Sequence, residues 1–179
     1  MKLRTLSTCA ACFIVFGIKV VTQRWHLTGH TKADADGYYK GLMYPTSHNN
    51  VILNAAWLSV ASGIYAVSRN HYDLALACFA IWLTSVIYWW KPKPQSWRRY
   101  MDITGVACAL SYHMMRSIGA EHMIEYYIAL ACGFVCYPLS GYFHNRNSWL
   151  SATFHAGVHL FGNISNFVLY SGALRSLAH

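Results

Sequence analysis

The stretch Ser151-Ala-Thr-Phe-His155-Ala-Gly-Val-His159-Leu-Phe-Gly-Asn163-Ile-Ser-Asn166 carries the residues best suited to chemistry. Read as a helix, it puts Ser151, His155, His159 and Asn163 on one face at steps of four, and Asn166 and Tyr170 extend the stripe. Two imidazoles one turn apart can reach a common point, so His155 and His159 form a ready pair of donors for a metal ion. The same pair serves equally well as two core histidines hydrogen-bonded to neighbouring helices. The stripe lies inside an apolar run long enough to cross a bilayer. In hydrocarbon, polar and ionisable groups are costly and normally face a bundle interior, which makes them candidates for function.

The elements that must position these residues are apolar blocks. The chain has 179 residues, 55% hydrophobic and 11% charged, where a soluble domain carries about a quarter charged residues. This composition predicts an all-α, polytopic transmembrane bundle of five to six helices, with no room for a second domain. Residues 1–21 form an N-terminal hydrophobic segment with a basic start (Lys2, Arg4), read as a signal anchor or a targeting segment. Residues 22–50 are a polar connection with turn signals at Asp36-Gly37 and Tyr44-Pro45. The bundle follows over 51–179, with blocks at Val51–Val67, Leu74–Trp90, Ser96–Arg116, Met123–Leu139 and Trp149–Ala173. Lys91-Pro-Lys-Pro94 and Pro138 are expected to end the helices before them.

Short connections make consecutive helices antiparallel. The connections at 22–50, 91–99 and 140–148 are therefore expected on one side, and they hold Arg24, Lys32, Lys40, Lys91, Lys93, Arg98, Arg99 and Arg146. This bias predicts that side to be cytoplasmic or its topological equivalent in an endomembrane. The net charge of +8 then reflects orientation and anionic headgroups rather than nucleic acid. Membrane lipids, and protein partners within the membrane, are the expected associates. All six cysteines fall in apolar segments; Cys9-x-x-Cys12 has redox or zinc spacing without a partner pair, and packing as small apolar groups is the expectation for all six.

Helix parity brings four polar residues to the same half of the membrane: Ser85, Asp102, His155 and His159. Asp102 also suits a simpler role, as a helix-start carboxylate facing headgroups. Ser85-Val-Ile-Tyr-Trp89, then Asp102, then His155-Ala-Gly-Val-His159 together resemble the CREST superfamily. That group contains alkaline ceramidases, progestin and adipoQ receptors, Per1-type proteins and myomaker-like proteins. Its pattern closes one helix with Ser-x-x-x-His, opens the next with Asp and places His-x-x-x-His in the last. The resemblance implies a zinc hydrolase of a lipid amide or ester, with His155 and His159 as ligands, Asp102 as base and Ser85 as transition-state donor.

Two departures stand out. Trp89 occupies the position of the first zinc histidine, and one helix, rather than three, separates the Asp helix from the last. His144 is the first choice for a replacement ligand and His48 the second, both being on the same side. The other reading is a bundle without catalysis: a subunit of a membrane complex, or a fusion or trafficking factor. Bis-histidine haem ligation fits less well, because it needs ligands at similar depth and His113 lies toward the opposite side.

Overall fold

The computed structural model describes residues 43–174. The N-terminal segment 1–21, and the connection up to residue 42, lie outside them. The described chain is helical: α1 (Thr46–Ala56), α2 (Leu58–Ser68), α3 (Tyr72–Trp89), α4 (Trp97–Arg116), α5 (Met123–Phe143) and α6 (Ser148–Ser171). Trp57 itself has helical dihedrals, so α1 and α2 run on as a single rod, Ser47–Ser68 being its apolar span. That makes five helices, of which three (α1–α2, α3 and α5) are long and apolar enough to cross a membrane.

Local chemistry sets most of the boundaries. Ser96 caps α4, its Oγ accepting from the Arg99 N–H at 3.4 Å, and Asn147 Oδ1 caps α6 by accepting from the Leu150 N–H at 3.0 Å. Asn70 (φ 62°) reverses the chain after α2, and Gly119 (φ 77°) does so after α4, both in the left-handed region. Two boundaries differ from the sequence expectation. The first rod begins at Thr46, because Pro45 pre-sets the entry and the polar residues that follow are themselves helical. Pro138 lies inside α5, which continues to Phe143; in apolar surroundings neighbouring groups can accommodate the missing N–H.

The two helices that fall short of the apolar criterion, α4 and α6, are the ones that carry the polar residues. α6 packs along α5 and against α1 and α2, and α3 packs against α1, α2 and α4. The α5–α6 seam is built from small residues. A Cβ on Gly157 would meet Cys136 Sγ at 3.0 Å, and one on Gly133 would meet Phe161 Cβ at 3.5 Å. Large apolar residues such as Ile64, Leu76, Leu83, Ile128 and Val135 point outward, as a lipid-facing surface requires.

Hydrogen bonds tie the helix ends into two groups. At one end the Met43 N–H donates to the Pro92 carbonyl at 3.0 Å, and the Tyr44 hydroxyl bonds Ser151 Oγ at 2.9 Å. The connections after α3 and before α6 therefore share an end, and exposed Trp90, Trp97, Tyr100 and Trp149 ring it. At the other end Arg69 donates to the Tyr170 and Ser171 carbonyls at 3.1 and 3.2 Å, satisfying the C-terminus of α6. Arg116 pairs there with Asp73 at 2.9 Å, and the Tyr112 hydroxyl donates to the same carboxylate oxygen at 2.6 Å. In sealed vesicles, single cysteines placed at Gln95 and Asn147 are expected to react with an impermeant maleimide from the same side. Labelling from opposite sides would mean that the helices do not alternate as described.

Candidate functional site

The site grows from the last turns of α3 and the first turns of α4. Ser85 is fully buried, and its hydroxyl donates to Asp102 Oδ1 at 2.7 Å. Thr84, its neighbour, donates to the same oxygen at 3.3 Å. Gly105, one turn beyond Asp102, lets α4 close on this spot, since a Cβ there would sit 3.2 Å from Thr84 Oγ1. Asp102 is 8% exposed, and so turns into the bundle rather than toward headgroups.

Trp89 lies one turn beyond Ser85 on the same face of α3. Its side chain is buried and lies against His155, ring centroids 4.6 Å apart and planes tilted by 58°, while Asn49 donates its amide N–H to the Trp89 carbonyl. Tyr44, Tyr88 and Tyr137 complete an aromatic wall around the pair. Trp89 Nε1 is buried without a hydrogen-bond partner. The His155 and His159 rings lie 5.8 Å apart, and the His159 carbonyl accepts from Asn163 Nδ2 at 2.7 Å.

His144 stands directly after α5 with its ring edge-on to Tyr44, centroids 5.1 Å apart. His48 packs edge-on against Trp149 at 4.9 Å. Both belong to the same end of the bundle as His155. They do not close around the histidine pair: among the described residues no three His, Cys, Asp or Glu side chains gather to hold one ion. The residues as placed thus offer two donors, where a catalytic zinc takes three and a water.

Two contributors were not singled out from the sequence. Arg99 is only 8% exposed and is an electrostatic neighbour of Tyr88, Tyr137, His144 and His155. Its position three residues before Asp102, on one helical face, was the available signal. Tyr44, next to a turn proline, bonds Ser151 and flanks both His144 and Trp89; nothing in the local sequence distinguishes it from a loop tyrosine.

Burial, and after it the Arg99 guanidinium, push the His144 imidazole below its ordinary value. Its folded pKa therefore lies below that of the unfolded chain, and protons favour unfolding. Stability is expected to fall as pH drops through about 6.5 and below. His144→Asn should make the melting temperature less sensitive between neutral and mildly acid pH; an unchanged pH dependence would exclude this role. Ser85→Ala removes the shorter bond to Asp102 and is expected to destabilise by about 1–3 kcal/mol, measured by thermal unfolding in detergent, whereas Thr153→Ala on the exposed face of α6 should have little effect.

No family model matches the chain, and neither a curated protein nor a solved structure matches it.

Proposed function

We propose that the chain is a multi-pass membrane protein whose five described helices all cross the bilayer, built around a CREST-like polar centre that lacks the catalytic ligand set. In this reading it acts without catalysis, as a subunit of a membrane complex or as a fusion or trafficking factor. The observation that carries it is Trp89. A buried indole tilted against His155, ring centroids 4.6 Å apart, fills the place where the CREST pattern has a zinc-binding histidine, and it packs on the imidazole that would bind the ion. The apolar outer surface suits lipid and protein partners in the membrane. α4 and α6 cross with their polar faces turned to other helices, which is how such residues are tolerated there.

A second reading is favoured by the 2.7 Å bond between Ser85 and Asp102. It gives the arrangement that the resemblance assigns to a zinc-dependent hydrolase of a lipid amide or ester. The endomembrane orientation expected from the basic loops belongs to both readings.

Zinc content separates them. Protein purified without chelator is expected to hold far less than one equivalent of zinc. Trp89→His should raise the content to about one equivalent, by supplying the third donor. One equivalent in the unmodified protein, lost in His155→Ala, would falsify the non-catalytic reading and favour the hydrolase.

A further inference from the structure

The centre around Trp89 holds polar atoms that the chain itself leaves without partners. Trp89 is 2% exposed, and its Nε1–H, a group that can only donate, is buried with no acceptor. Among the described residues, no hydrogen bond reaches the rings of His155 and His159 or the hydroxyl of Tyr137, and all three residues are half-buried. The four side chains are neighbours drawn from α3, α5 and α6. Centroid distances from His155 are 4.6 Å to Trp89, 5.8 Å to His159 and 6.4 Å to Tyr137. Polar groups inside a protein ordinarily find partners, so this cluster calls for one from outside the chain.

Charge decides which ligand suits. Among the described residues, Arg99, buried on α4, is the fixed cation that acts on both His155 and Tyr137. Asp102 lies on the same helix, but its carboxylate is taken up by Ser85 and Thr84. It acts on Tyr88 and on neither His155 nor Tyr137. The potential at the cluster is therefore positive, which opposes a metal ion and favours an acceptor of negative charge. The donors fit the same choice. Trp89 offers an indole N–H, Tyr137 a hydroxyl and each neutral imidazole one ring N–H. Hydrogen bonds from such groups to an anion are stronger than those to a neutral acceptor.

We propose that this centre binds one small inorganic monoanion, a halide such as chloride, among Trp89, Tyr137, His155 and His159. A halide accepts equally from every direction, so donors arriving from three helices need share no plane. A single negative charge matches the single guanidinium that acts on the cluster, whereas a divalent anion would carry excess charge into apolar surroundings. The inference rests on the reading in which Trp89 has replaced the zinc site. Zinc on His155 and His159 would occupy their lone pairs and set two further positive charges near Arg99. Anion and metal are thus alternative occupants, and the indole N–H serves only the anion.

The test uses the full chain in detergent, assayed first for zinc and then exchanged into chloride-free gluconate buffer. Sodium chloride is titrated in at constant ionic strength while the melting temperature and the chloride NMR linewidth are followed. The melting temperature is expected to rise and saturate, and the excess linewidth to be removed by competing bromide. Trp89→Phe keeps a ring and loses the N–H. It should weaken chloride binding by about 10-fold or more, yet melt no lower than the parent protein in gluconate, because a buried unanswered donor is gone. Tyr137→Phe should weaken binding as well, and Tyr100→Phe, on the exposed face of α4, should leave it unchanged. A purely structural indole gives the reverse pattern for Trp89→Phe, a lower melting temperature in gluconate with unaltered chloride affinity, and that result would overturn the assignment. So would a protein blind to chloride, its donors then being served by water alone. Zinc-free protein that ignores chloride sinks the anion site and spares the non-catalytic reading; stoichiometric zinc at the outset sinks both.

Discussion

A polar group on an apolar helix has no water to turn to, and its partner has to come from another helix. That constraint organises this bundle. Ser85 on α3 answers Asp102 on α4, Ser62 on α2 answers Asn163 on α6, and Tyr170 on α6 answers His113 on α4. The first joins consecutive helices and the other two join helices far apart in the chain, and each helps fix rotation and depth as well as contact. Apolar packing alone is far more tolerant of a helix sliding or turning, because lipid tails and leucines are equivalent neighbours.

α6 is the element on which these demands meet. Its polar face runs from Ser151, bonded to Tyr44 and to the Ser140 carbonyl, past His155, His159 and Asn163, to Tyr170 at the far end. The two chemically distinct centres therefore sit on one helix face, about ten residues apart, with the Asn163–Ser59–Ser62 cluster between them. One centre is walled by aromatic rings around an imidazole pair. The other surrounds a sulfur with hydroxyl, amide and imidazole groups.

Much of this was legible in the sequence, and for identifiable reasons. Apolar blocks bounded by prolines, caps and basic residues located the helices, and parity along them brought Ser85 and Asp102 to the same depth. What escaped were features whose local signature is weak or missing. Arg99 reads as one more basic residue of a connection, and only the turn of α4 carries it inside with Asp102. Cys78 reads as a small core residue and packs as one, while the polar groups around its sulfur, which come from three other helices, leave no trace in the local sequence. Pro138 reads as a stop, but a helix surrounded by neighbours continues past it to Phe143. The gathering of a third donor beside His155 and His159 depended on the placement of His144, which spacing along the chain does not constrain; its ring lies against Tyr44 instead.

The small-residue seam between α5 and α6 has a consequence for everything above it. Gly157 sits between His155 and His159, and a Cβ there would lie 3.0 Å from Cys136 Sγ, close enough that the sulfur would have to shift. The flat side of α6 is thus keyed into α5, as a shaft is keyed into a wheel, which favours one rotation about its own axis. The direction in which both imidazoles point is accordingly supported from the back of the helix as well, by a hydrogen atom on Gly157 and a neighbouring thiol, neither of which belongs to the centre it helps orient.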